Sequence, residues 1–275
     1  MIVPITELIY DRINDRLLSL TASFCYASDN HGETWYLYSF FGNVINRPNI
    51  FNQTLYCPTT GIQLTNGVLV APLRFCRVEP VTGFIKQTVN FLIFSRDFGR
   101  HWVQSPCTPD DVICDEALVV EYKKNQVMIN SRGGTEYWME RSNNGRRVFI
   151  SSVKNRNNRN KWEIQSWTLE KKTDGILYDP ICNASIIKLP NSIKRGGLFV
   201  NPYMPDEYWP RKNLLLRYSR DFKKWKNVGF LTEYGLKIKG YCALAATEST
   251  LFFAFVDNGG VIKFCEIDPS ILREF

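Results

Sequence analysis

The sequence is short of the features that settle a protein's class at a glance. No run approaches the ~18 apolar residues of a membrane-spanning helix, so no span is expected. The N-terminal stretch, MIVPITELIYDRINDR, has neither the basic start nor the apolar run of a secretory signal, and a cytoplasmic chain is the default expectation. No segment keeps helical periodicity for three turns. The eight cysteines form no CxxC pair, the usual spacing for zinc or redox chemistry. They are widely spaced, at Cys25, Cys57, Cys76, Cys107, Cys114, Cys182, Cys242 and Cys265, and several sit in apolar runs such as ASFCYAS and IKFCEI. That setting suits small buried hydrophobes better than a disulfide framework. Neither a metal nor a cofactor is expected.

What is present describes a globular chain. Of 275 residues, 44% are hydrophobic and 14% aromatic, which excludes disorder and supplies a large core. The net charge is +7, with a pI near 8.9. The basic residues are spread along the chain, so nucleic acid is not the expected partner. The densest cluster, Lys154, Arg156, Arg159 and Lys161 in VKNRNNRNKW, reads as a solvated loop, with an anion patch as the alternative. A positive balance suits a small acidic substrate through long-range attraction. Asn52 and Asn183 open N-x-S/T sequons, which matter only in a secreted chain.

Strand signals dominate. GVLVAPLRF, VNFLIFS, EALVVEY, QVMINS, NLLLRYS, TLFFAFV and VIKFCEI are short, rich in β-branched and aromatic residues, and bounded by turn formers. An internal repeat organises them. SDNHGETW (Ser28–Trp35) and SRDFGRHW (Ser95–Trp102) fit S-x-D/N-x-G-x-x-W, and SRDFKKW (Ser219–Trp225) is one residue shorter. An eroded copy, NRNNRNKW, ends at Trp162. The tryptophans are 67, 60 and 63 residues apart. A period near 60 with one turn per unit predicts blades of four antiparallel strands, hence an all-β propeller. Gly supplies positive φ in such a turn, and the Asp or Asn side chain bonds the turn backbone. The Trp is expected to pack on its own blade. The motif therefore reports fold and carries no chemistry.

These turns resemble the Asp-boxes of the sialidase (neuraminidase) superfamily. Three further stretches are similar to that family's, in its order. TTGIQLTNGVLVAPLRF, ending at Phe75, resembles G-I-Q-L-x-N-G-R-L-V-x-P. EALVVEYKKNQVMINSR (116–132) resembles E-x-Q-V-V-E-L-x-D-G-x-L-x-L-N-A-R without a gap. NPYMPDEYWPRKNLLLRYSRD (201–221) resembles N-P-…-R-x-N-L-x-V-x-x-S-x-D. The resemblance covers roughly residues 10–265 and implies one sialidase-type propeller domain over 1–275. Five repeat units are visible where the family has six.

In that family three arginines clamp the carboxylate of sialic acid, a Tyr–Glu pair supplies the nucleophile, and an Asp is the acid/base. A planar guanidinium meets a carboxylate bidentately. A tyrosine needs a neighbouring carboxylate to take its proton before it attacks. The resemblance implies that Glu116 is the nucleophile's partner, and that Arg132 and Arg211 are the second and third clamp residues. The first clamp arginine and the acid/base have no match. In KGYCALAATES, Leu244 stands at the nucleophile's position, and Tyr241 lies three residues away, an odd offset that faces the other side of a strand. Asp257 stands where the family tends to carry a Glu bracing the first arginine.

Three functions are compatible with this pattern. The first is recognition of an acidic keto-sugar or glycoconjugate through a partial clamp, without hydrolysis by this chain alone. The second is an active exo-α-sialidase with displaced catalytic groups, Glu116 serving as base, or with a missing blade supplied by a partner chain. The third is a non-catalytic propeller for protein contacts.

Overall fold

The computed structural model describes residues 7–21, 23–57, 59–112, 114–133, 146–156, 161–170, 177, 182–204 and 211–275. The chain divides into two compact units, Met1–Glu140 with Val148–Glu170, and Arg141–Arg147 with Lys171–Phe275. Among the described residues, helix is confined to two 3-10 turns, Gly42–Val44 and Pro269–Leu272.

The first unit holds three antiparallel sheets. β1 (Glu7–Asp11), β2 (Arg16–Thr21), β3 (Phe24–Ser28) and β4 (Tyr36–Phe40) pair in chain order. In the second sheet, β5 (Gln53–Tyr56) and the short β6 (Ile62–Gln63) both pair with β7 (Leu69–Val78), followed by β8 (Ile85–Ser95) and β9 (Val103–Gln104). The third sheet runs β10 (Ala117–Lys123), β11 (Gln126–Ser131), β12 (Arg147–Arg156) and β13 (Lys161–Ile164), with β14 (Thr168–Glu170) also on β12. The second unit holds the sheet β15 (Ser185–Lys188), β16 (Gly197–Pro202), β17 (Leu214–Ser219), β18 (Lys226–Phe230) and the three-stranded sheet β19 (Ile238–Ala246), β20 (Leu251–Asp257), β21 (Ile262–Ile267). These five sheets correspond to the five repeat units expected from the sequence.

Burial explains the strand patterns. Leu69, Ala71, Leu73 and Phe75 of β7, with Phe91 and Ile93 of β8, pack against Ile9, Leu18 and Leu20 of the first sheet. Val70, Leu92 and Phe94 point the other way, onto Val119, Val127, Ile129 and Phe149 of the third. Alternate residues of a strand face opposite sides, so a sheet buried on both faces reads as a continuous apolar run. In the second unit, Leu198, Val200, Leu214 and Leu216 pack on Leu244, Leu251 and Phe253. The last sheet buries only that face: Tyr241, Ile262 and Phe264 of its other face are exposed. All eight cysteines are free. Cys25, Cys57, Cys76, Cys114 and Cys182 are buried as expected, but Cys265 is exposed. It lies on β21, the edge strand of its sheet, which among the described residues pairs only with β20.

The repeated turns share one construction. Ser28 Oγ donates to Asn30 Oδ1 at 2.9 Å and accepts the Gly32 amide at 2.8 Å. Ser95 Oγ does the same with Asp97 Oδ1 at 2.9 Å and Gly99 N at 2.8 Å. Gly32 and Gly99 have φ near +93° and +90°, and the residue before each, His31 and Phe98, is also left-handed. The shorter third copy dispenses with the Gly by putting Phe222 at φ +62°, while Asp221 Oδ1 accepts the Lys223 and Lys224 amides. Each turn joins the third and fourth strand of its sheet.

Trp102 shares a core cluster with Phe91 and Ile93 of its own sheet and also reaches beyond that sheet. Trp102 sits 6.0 Å from Phe41 by ring centroids, and its Nε1 reaches Ser39 Oγ at 3.3 Å as well as the Gly99 carbonyl at 2.9 Å. Ser39 Oγ also donates to that carbonyl at 2.5 Å. The turn of the second sheet is thus docked on the edge of the first. The eroded turn before Trp162 lies outside the described residues, as do Arg159 and the side chains of Lys154, Arg156 and Lys161.

Candidate functional site

The hairpin β10–β11 places two of the three expected site residues side by side. Ala117 pairs with Ser131, so the next residues outward, Glu116 and Arg132, also face one another. The ladder continues there: the Arg132 amide donates to the Glu116 carbonyl at 3.0 Å, and the Asp115 amide to the Arg132 carbonyl at 2.9 Å. The side chains close the same pair, with Arg132 NH1 donating to Glu116 Oε2 at 2.9 Å.

Two residues that sequence reasoning missed complete the cluster. Asp115 Oδ2 lies 2.5 Å from Arg132 NH2, and its Oδ1 pairs with Arg74 NH1. Arg74 belongs to β7, opposite Asn90 of β8. Asn90 Nδ2 fixes the Asp115 carbonyl at 2.7 Å, and Ser131 Oγ accepts the Asp115 amide at 3.0 Å. The four charged side chains are largely buried, with Arg132 the most open at 18% exposure. Two arginines and two carboxylates cancel, so the cluster is neutral, and its charges are paired, as buried charges must be.

Glu7 of β1 adds a buried carboxyl. Its Oε1 accepts the Cys57 amide at 3.2 Å, and its Oε2 has no partner among the described residues. Burial pushes its pKa well above the ordinary carboxylate range, and the Cys57 hydrogen bond opposes this only in part. The Cys57 thiol is pushed up by its own burial and further by Glu7, while Arg74 pulls it down. Glu7, Cys57 and Arg74 therefore share one electrostatic environment.

The other expected residues belong to the second unit. Arg211 NH1 donates to the Lys239 carbonyl at 2.9 Å, and its side chain runs where a Cβ on Gly240 would stand. Leu244 is 7% exposed and packs with Ile238, Leu251 and Phe253. Tyr241 is 42% exposed and sits where the β19–β20 register shifts, between Ile238 and Cys242. Asp257 serves a turn, accepting the Val261 amide through Oδ1 at 2.9 Å, with Lys263 3.7 Å from Oδ2. Arg217, which the sequence hid in a strand, is fully buried and donates from NH1 to Asn201 Oδ1 at 2.7 Å.

Elsewhere in the first unit, a groove of about 660 Å³ is lined by Phe94, Val103, Gln104, Pro106, Ile164 and Gln165. None of the charged cluster lines it. Among the described residues no group of three His, Cys, Asp or Glu could hold a metal ion, and no helix is long and apolar enough to cross a membrane.

Solved structures that superpose on this chain include sialidases. A Hadza microbial sialidase superposes over 95% of this chain and 52% of its own, with a TM-score of 0.67 and 19% identity. The Trypanosoma rangeli sialidase in complex with 2,3-difluorosialic acid, a covalent intermediate, covers 98% of this chain and 45% of its own, at TM-score 0.67 and 16% identity. This chain has the sialidase fold. It spans about half the length of those two sialidases. A Dyadobacter fermentans protein of unknown function shares the fold over 94% of this chain and 74% of its own, at TM-score 0.60 and 15% identity. No protein-family model and no curated protein matches the sequence.

Proposed function

We propose that this protein recognises an acidic keto-sugar of the sialic acid type, free or on a glycoconjugate, and does not hydrolyse it by itself. The Arg132–Glu116 pair carries the reading. It stands at the open end of the β10–β11 hairpin, with the guanidinium still partly open. A guanidinium is the planar group that pairs bidentately with a sugar carboxylate. The trypanosomal neighbour was solved with a sialic acid analogue bound, which supports the ligand class. Burial of Leu244 in the second unit's core supports the lack of hydrolysis, because no hydroxyl stands at that position to attack an anomeric carbon.

The exo-α-sialidase alternative has one observation in its favour. Tyr241 is exposed within an irregular stretch of β19, where an odd offset no longer fixes the direction of a side chain. In that reading Tyr241 takes the nucleophile's place.

A fluorogenic α-sialoside assay beside a calorimetric titration with free sialic acid separates these. The proposal expects no turnover, and binding that weakens in Arg132→Ala. Turnover by the wild type that disappears in Glu116→Ala establishes the enzyme instead. Neither turnover nor binding leaves a propeller for protein contacts.

A further inference from the structure

Asp115 lies between two guanidinium groups and gives one oxygen to each. Its Oδ1 pairs with Arg74 NH1 and its Oδ2 with Arg132 NH2, the latter at 2.5 Å. A carboxylate bridging two arginines in a largely buried setting is the arrangement in which a bound acid would be held. Here the acid belongs to the chain.

The tether limits what Asp115 can satisfy. Its backbone is fixed on both sides, by its amide to the Arg132 carbonyl at 2.9 Å and by its carbonyl to Asn90 Nδ2 at 2.7 Å. From that anchor it reaches one nitrogen of each arginine. The Nε atoms of Arg74 and Arg132 are both buried and both without a hydrogen-bond partner among the described residues. An arginine fork is matched when two of its nitrogens meet the two oxygens of one carboxylate. Asp115 cannot do this for both forks, whereas an untethered carboxylate can turn to use an Nε. Glu116 does not compete, because it is already engaged by Arg132 NH1 at 2.9 Å.

We propose that Arg74 and Arg132 form a binding site for a single carboxylate, which Asp115 fills in the free protein and which an acidic ligand enters by displacing it. The inference rests on the reading of Arg132 as a carboxylate-binding residue. It adds Arg74, which nothing in the sequence marked, as the second arm, and it makes Asp115 an internal competitor. Entry requires the Asp115 side chain to rotate out from between the two guanidinium groups, so that the ligand carboxylate takes its place without stacking a second negative charge in a buried site.

The test uses the whole chain and acetate as the probe, with chloride at equal ionic strength as control. Asp115→Ala opens the site. Acetate should then raise its thermal midpoint while chloride does not, and it should bind roughly tenfold or more tightly than to wild type. Adding Arg74→Leu to Asp115→Ala should erase the gain. Equal responses to acetate and chloride in Asp115→Ala overturn the proposal, as does an acetate response that survives Arg74→Leu. If Asp115→Ala folds only when acetate is present, the proposal is supported directly. If it folds under neither condition, Asp115→Asn, which keeps the shape and loses the charge, takes its place. Acetate must then bind Asp115→Asn more tightly than wild type, and equal binding refutes the proposal. Because acetate carries no sugar, failure of sialic acid to bind leaves this result standing. Sialic acid binding without any acetate gain in the variants removes this inference alone.

Discussion

Arg132 and Glu116 are joined twice, by the Arg132 amide to the Glu116 carbonyl at 3.0 Å and by Arg132 NH1 to Glu116 Oε2 at 2.9 Å. The backbone bond does not depend on either side chain, so Arg132→Leu and Glu116→Gln report on the side chains alone. Arg132→Leu leaves Asp115 and Glu116 as adjacent, mostly buried carboxylates. The expected loss is about 3 kcal/mol, the lower end for breaking a buried pair, because Arg132 is partly open. Glu116→Gln keeps an acceptor for NH1 and should cost only about 1 kcal/mol. Urea denaturation at neutral pH measures both, and equal losses would contradict the charge argument.

Glu7 should make stability fall as pH rises. Its folded pKa is raised by burial, so its contribution is fully present below the unfolded value of ~4.3 and is lost as pH climbs through the folded value. Glu7→Gln keeps the acceptor for the Cys57 amide and cannot ionise. The difference in thermal midpoint, variant minus wild type, should therefore become steadily more favourable to the variant from about pH 4 to pH 8. A difference independent of pH would show that Glu7 ionises as readily in the fold as outside it.

The turn at Asp97 has the opposite dependence. Burial raises its pKa, but hydrogen bonds from the His101 backbone and side chain and from Ser95 outweigh that and hold it below the ordinary value. Its contribution is present above ~3.9 and disappears as pH falls through the lower folded value. Asp97→Ala should cost about 1–2 kcal/mol at neutral pH and progressively less in acid. Parallel pH profiles for variant and wild type would mean that the charge contributes nothing to the turn.

Trp102 couples two sheets, through its ring against Phe41 and its Nε1 to Ser39 Oγ. Trp102→Leu and Phe41→Leu, singly and together, should give an interaction energy of about 0.5–1.5 kcal/mol. Strict additivity would return Trp102 to a role within its own sheet.

Much of the fold was legible because β-strands write their burial into sequence. Runs such as VNFLIFS marked the strands, and the spacing of Trp35, Trp102, Trp162 and Trp225 marked the repeat. Two things were not legible. A turn motif records its own hydrogen bonds but not the neighbour it docks on, so the contact of Trp102 with Phe41 was not foreseen. Arg74 sits between Leu73 and Phe75, both fully buried, in a run whose pattern describes core. The charge itself was the signal, since an arginine in such a strand needs a partner, but only the folded chain brings Asp115 to it. Asp115 in turn was overshadowed by Glu116, the neighbour that carried the family resemblance.

Leu244 gives the sharpest test of how far that resemblance extends to chemistry. The alignment of KGYCALAATES puts it where the family's nucleophilic Tyr stands, which suggests Leu244→Tyr as a restoring substitution. The fold argues otherwise. Leu244 is buried at 7% exposure among Ile238, Leu251, Phe253 and Ile267, and its amide is tied to Ser185 Oγ at 3.0 Å. A phenol there must displace packed neighbours and bury its hydroxyl, so overpacking should cost about 1–3 kcal/mol. The side chain would remain on the core face while Tyr241 stays on the open one. Leu244→Tyr should therefore be less stable than wild type and show no α-sialoside turnover, with the wild-type affinity for sialic acid unchanged. Turnover appearing in this variant, sensitive to Glu116→Ala, would show that β19 can turn this position toward the substrate, and the non-hydrolytic reading would then rest on one side chain rather than on the packing of the blade.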